Sequence, residues 1–139
     1  MRFWDSSAVV SLLLTEDDSA IREEDFASDP GILVWYGTLA EIESAICRRL
    51  RDGALLGVDA EMARTRLAHL RQRWFEVQAF GVVRARAIRL LRLHPLRAAD
   101  AFQLAAALVA FDEKTTGHWF YTGDARLLVA AQAEGFEVK

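Results

Sequence analysis

An α/β domain with a mainly parallel central sheet and helices on both faces is the fold class predicted by the sequence, and three observations predict it. Short β-branched and aromatic runs alternate along the chain with longer segments of helical periodicity. Turn and capping residues punctuate that alternation, as at Asp5-Ser6-Ser7, Asp29-Pro30-Gly31 and Gly123-Asp124. The 139 residues are 53% hydrophobic and 27% charged with two prolines, which predicts a single domain over 1–139 with a core that needs no staples.

Arg2-Phe3-Trp4 reads as a strand ended by Asp5, with a serine-marked turn at Ser6-Ser7 and a helix starting in Ala8–Leu14. A charged helix follows around 16–28, and Asp29-Pro30-Gly31 breaks it. Ile32-Leu33-Val34-Trp35 suits a buried parallel strand. Thr38-Leu39-Ala40-Glu41 has the form of a capping box, so a helix should start near Thr38, bury Leu39, Ile42, Ile46 and Leu50, and stop at Asp52-Gly53. Another runs from about Asp59 toward Trp74. Residues 75–80 alternate briefly as a short strand, and Val82 to Leu93 is helical until His94-Pro95. Leu96 to Phe111 is an alanine-rich helix interrupted by Asp100. His118–Thr122 reads as the fourth strand, 125–133 as a helix and Phe136–Val138 as the last strand.

The single cysteine, Cys47, cannot form an internal bridge, and no apolar run approaches the roughly 18 residues of a membrane span, so a cytoplasmic protein is expected. The formal charge of −3 conceals a segregation: residues 1–47 carry two arginines against ten acids, residues 48–97 twelve arginines against four. Fifteen of the 17 basic residues are arginine, whose planar fork matches phosphate bidentately, although solvated helix faces would look the same. No G-x-x-x-x-G-K-[ST] or G-x-G-x-x-G is present. Ser7 stands where a phosphatase of similar sheet needs a second aspartate. His69, His94, His118 and Cys47 lack zinc-ligand spacing.

In parallel α/β sheets the site lies beyond the carboxyl ends of the strands, where Asp5 and Asp124 fall. Asp100 sits in the first turn of an apolar helix, where an ionised carboxylate needs a partner. Glu41 lies off the apolar stripe of its helix and is free to face a site. Convergent carboxylates suit Mg²⁺ or Mn²⁺, hard cations that take oxygen ligands and pair with phosphate. Each residue also has a plainer explanation: Asp124 as an N-cap, Glu41 as the capping-box acid, Asp5 as a turn former, Asp100 as a partner of Arg97 or another arginine.

Four segments carry a family resemblance: Phe3-Trp4-Asp5-Ser6-Ser7-Ala8-Val9-Val10, Trp35 to Ile46, Leu96-Arg97-Ala98-Ala99-Asp100-Ala101-Phe102-Gln103-Leu104-Ala105-Ala106-Ala107, and Thr122-Gly123-Asp124-Ala125-Arg126-Leu127 with Glu134-Gly135-Phe136. In order and spacing they resemble PIN-domain ribonucleases, in particular the VapC toxins of VapBC toxin–antitoxin pairs. The resemblance implies a PIN-like three-layer fold and a Mg²⁺- or Mn²⁺-dependent endoribonuclease. Asp5, Glu41, Asp100 and Asp124 stand at its catalytic positions. It further implies that Asp5, Asp100 and Asp124 hold the cation, that Glu41 orients the attacking water, and that Ser6 or Ser7 holds a water or a carboxylate. A cognate VapB-type antitoxin and a homodimer are implied too. Glu43 lies two residues from Glu41 and on another face, so only Glu41 should reach the site. Arg48 and Arg49 are expected to meet RNA. The alternative is a catalytically inactive PIN-fold module that acts only by binding a protein.

Overall fold

Strands and helices alternate as expected in the computed structural model, which describes all 139 residues, Met1–Lys139. β1 (Arg2–Trp4) leads into α1 (Ser6–Leu13) and α2 (Ser19–Ser28), and β2 (Ile32–Trp35) into α3 (Thr38–Arg51) and α4 (Gly57–Leu70). β3 (Trp74–Val77) precedes α5 (Phe80–Leu93) and α6 (Ala98–Ala110); β4 (Trp119–Tyr121) precedes α7 (Ala125–Ala133), and β5 (Glu137–Val138) comes last. The five strands form one all-parallel sheet in the order β3-β2-β1-β4-β5. The chain therefore steps outward from β1 to β3, then returns to the other side of β1 for β4 and β5. That reversal makes the β1/β4 boundary the topological switch point, where crossovers diverge and leave a crevice at the strands' carboxyl ends.

Because side chains alternate across a strand, neighbours in sequence feed opposite layers. Phe3 stacks on Phe120 with ring centroids 5.2 Å apart, and both pack with Leu90, Leu104 and Leu127 of α5, α6 and α7. Trp4 meets Tyr121 edge-on at 4.8 Å on the other face, among Val9, Ile42, Ile46 and Leu67 of α1, α3 and α4. This is the three-layer α/β architecture expected from the sequence, a parallel sheet with helices on both faces. Truncating Phe3, which is fully buried, would cost about 3–5 kcal/mol. No helix is long and apolar enough to cross a membrane.

Three local expectations are corrected. Ser6 and Ser7 are the first residues of α1 instead of a turn, because the Asp5 side chain accepts from the Ser7 amide and caps the helix two residues earlier than expected. β3 begins at Trp74 and ends at Val77; Phe80 opens α5, and burial does not follow the alternation, because Phe75 is exposed and Val77 buried although both lie on one face of this edge strand. The capping box is not made: Gly37 is the N-cap of α3 without a side-chain bond, and both Thr38 and Glu41 turn to other partners.

Candidate functional site

Asp5 leaves β1 at the switch point, and its amide donates to the Tyr121 carbonyl of β4 at 2.9 Å. Its carboxylate is 3% exposed. The Ser7 hydroxyl and the Thr122 hydroxyl both donate to Oδ2, the latter at 2.9 Å. Burial nonetheless pushes the Asp5 carboxyl above its ordinary pKa, with those hydrogen bonds pulling the other way.

Glu41, in the first turn of α3, takes the Ser6 hydroxyl on Oε2 at 2.8 Å and the Gln103 amide on Oε1 at 3.2 Å. Gln103 is fully buried in α6 and also donates to Thr38 at 2.9 Å. Burial raises the Glu41 pKa, and the negative charges of Asp5 and Asp100 add to that shift, while Ser6 and Gln103 oppose it. Ser6 thus stands between two carboxylates, with its hydroxyl 3.4 Å from Asp5 Oδ1.

Asp100, in the first turn of α6, is half-buried. Its carboxyl is raised by burial first and then by the charges of Asp124 and Asp5. No ion pair joins it to Arg97 or any other arginine. Asp124 caps α7, its Oδ1 accepting from the Leu127 amide at 2.8 Å. The turn before it is tied down: the Gly123 amide donates to Ser7 Oγ at 2.8 Å and the Asp124 amide to Thr122 Oγ1 at 3.0 Å.

The four carboxylates are thus neighbours at one end of the sheet, each at least half-buried, and none is in an ion pair, although the Arg97 charge and amide weakly offset the shift at Asp100. Ten of the other sixteen acids are in ion pairs and five of the remaining six are exposed; Glu43, the neighbour of Glu41 in sequence, is taken by Arg64. Uncompensated, partly desolvated negative charge is an unfavourable arrangement that a bound cation relieves. As they stand, no three of these side chains close around one point as ion ligands. The donor set is nevertheless all oxygen and mutually repelling, which fits Mg²⁺ or Mn²⁺ in chemistry.

A cleft of about 890 Å³ opens beside Glu41, between α1, α3 and the Thr122-Gly123 turn, with Ser6, Ser7 and Ser44 in its wall and Arg48 and Arg49 farther along α3. Arg49 is held in an ion pair by Glu16, whereas Arg48 is exposed and unpaired. Sequence reasoning missed Gln103 and the role of Thr122. The one polar side chain between Phe102 and Ala110 in α6 was a visible signal for the first; nothing local marked the second.

The chain is, in class, a three-layer α/β domain with an acidic cluster at the switch point of a parallel sheet. Compared with known proteins, it matches no protein-family model and no curated protein. Among solved structures it is similar to the crystal structure of PAE2754 from Pyrobaculum aerophilum, at a TM-score of 0.66 and 18% identity over 99% of this chain and 89% of that one. At that identity the likeness concerns the fold alone.

Proposed function

We propose that the protein is a metal-dependent endoribonuclease of the PIN-domain type, the VapC-like toxin of a type II toxin–antitoxin pair, restrained by a VapB-type antitoxin. One observation carries this reading: four carboxylates, drawn from the ends of β1 and β4 and the first turns of α3 and α6, share one site and none of them is in an ion pair. In an inactive binding module Asp5 and Asp124 would still cap their helices, but the unpaired negative charge gathered at Glu41 and Asp100 would have no use. Asp5, Asp100 and Asp124 are the residues that would hold Mg²⁺ or Mn²⁺, and such a cation supplies charge neutralisation to a phosphodiester under attack.

The chain's own residues do the positioning. Ser7 and Thr122 fix Asp5 from two sides, so its carboxylate needs little reorganisation when substrate arrives. Ser6 and Gln103 hold Glu41 at both oxygens, in an orientation suited to accepting a proton from an attacking water. Its raised pKa makes Glu41 a better base than an ordinary glutamate once it is ionised. Arg48, exposed beside the cleft, offers a cation to the RNA backbone.

The test is cleavage of a total cellular RNA pool by purified protein in Mg²⁺, Mn²⁺ or excess EDTA, beside Asp100→Asn. Discrete cuts that need metal and disappear in the variant are expected. Equal cutting by both proteins, or no cutting in either metal, would reject the nuclease and favour the binding module.

A further inference from the structure

Arg22 is the most buried cation in the chain, 3% exposed, and lies on α2, a largely exposed helix in which Asp25 alone is buried with it. Its guanidinium faces three ways. Nε donates to Asp18 Oδ2 at 3.0 Å, Nη2 donates to the Thr122 carbonyl at 2.9 Å, and Nη1 lies 3.5 Å from Asp25 Oδ2, an ion pair without a well-formed hydrogen bond. The same group lies over the Tyr121 ring, 5.4 Å from its centroid. Asp18 is steadied in turn by the Ser11 hydroxyl at 2.6 Å, and Asp25 by Lys139.

Thr122 is the residue on which the end of β4 hangs. Its amide donates to the Lys139 carbonyl, its hydroxyl donates to Asp5 and accepts the Asp124 amide, and its carbonyl has Arg22. Removing the guanidinium would leave a buried carbonyl without its charge-assisted donor, at the start of the turn that presents Asp124. A buried ion network of this kind is seldom the most stable filling of its space, since apolar residues of equal volume often do as well or better. What it supplies is fixed geometry: a planar fork can reach two carboxylates and a carbonyl at once, and a lysine cannot.

We propose that Arg22 is a positioning residue for the acidic site, holding the Thr122 carbonyl so that the Thr122 hydroxyl stays on Asp5 and the Gly123-Asp124 turn keeps its place. Its catalytic consequence rests on the nuclease reading; its effect on the turn does not.

The experiment measures amide hydrogen exchange in the wild type, Arg22→Met and Arg22→Lys, with kcat and KM on a short RNA spanning a cut mapped in the pool. With exchange in the core of α6 unchanged, the Gly123 and Asp124 amides should exchange roughly tenfold faster or more in Arg22→Met. In the same variant kcat should fall about tenfold at unchanged KM, with partial recovery in Arg22→Lys. Arg22→Lys also decides the matter if Arg22→Met does not fold, because it keeps the charge between Asp18 and Asp25. Unaltered exchange at Gly123 and Asp124, a kcat loss that only tracks loss of α6 protection, or failure of both variants to fold would overturn the inference. A wild type that cuts no RNA while the turn still loosens without Arg22 would remove the nuclease reading and leave the positioning role standing.

Discussion

Glu41 shows how one residue is tuned by groups distant in sequence. Ser6 is 35 residues away and Gln103 62, yet each meets one of its two carboxylate oxygens. Replacing Gln103 by Leu removes a bond that holds the Glu41 pKa down and leaves the buried Thr38 hydroxyl without its amide. A base must be ionised to work, so the rising limb of the cleavage pH profile should move to higher pH in Gln103→Leu. Stability should fall by about 1–3 kcal/mol. A profile superimposable on the wild type's would show that Gln103 does not act through Glu41. The acids at 5, 41, 100 and 124 were legible in the sequence because each stands at a position with a physical meaning, a strand end or a helix first turn. Gln103 stands out only as the one polar side chain in an apolar stretch of α6, and Thr122 and Arg22 not at all, since the partners of all three are brought near only by the fold; Thr122 and Asp5 are 117 residues apart.

Among the elements, α3 joins the sheet to the site at a single glycine. A Cβ on Gly37 would lie 2.7 Å from the Trp35 indole nitrogen, and Trp35 in turn stacks on Phe102 of α6 at 5.7 Å, two residues beyond Asp100. Gly37→Ala should therefore cost about 1–3 kcal/mol, read as a lowered denaturation midpoint, and should lower cleavage beyond what the lost folded fraction explains. An unchanged midpoint would mean that the indole moves aside freely. Strands and helices were readable because their periodicities match the faces they bury: Ile42 and Ile46 of α3 are fully buried as the apolar stripe predicts. The capping box misled because Thr38 and Glu41 satisfy a site instead of the helix end; Thr38 is buried against Gln103, and Glu41 faces Ser6. β3 was misplaced because an edge strand with one exposed aromatic has no clean alternation.

Over the whole molecule, charge divides into an acidic site and arginine-rich helices. Arg48, Arg51, Arg71, Arg73, Arg84, Arg92 and Arg97 are exposed and outside every ion pair, so the excess positive charge of 48–97 persists at the surface. Replacing Arg48 by Gln should weaken RNA binding and reduce the slope of log affinity against log salt by about one unit or less, with a smaller effect for Arg49, which Glu16 already engages. Equal slopes for wild type and Arg48→Gln would place the RNA elsewhere.

The site carboxylates also set a stability trend with pH. Asp5, Glu41 and Asp100 have folded pKa values above their unfolded ones, so the stability they contribute is present below the unfolded values and is lost as pH rises through the folded ones. At neutral pH the ionised cluster therefore opposes folding, and a ligand that neutralises it should stabilise the protein by mass action. The melting temperature at pH 7 in EDTA and in saturating Mn²⁺, for wild type and Asp100→Asn, tests this most directly. The variant should melt a few degrees higher than wild type in EDTA, Mn²⁺ should raise the wild type, and the variant should respond far less. A wild type unmoved by Mn²⁺, or a variant that responds equally, would contradict the reading of these four carboxylates as a metal site.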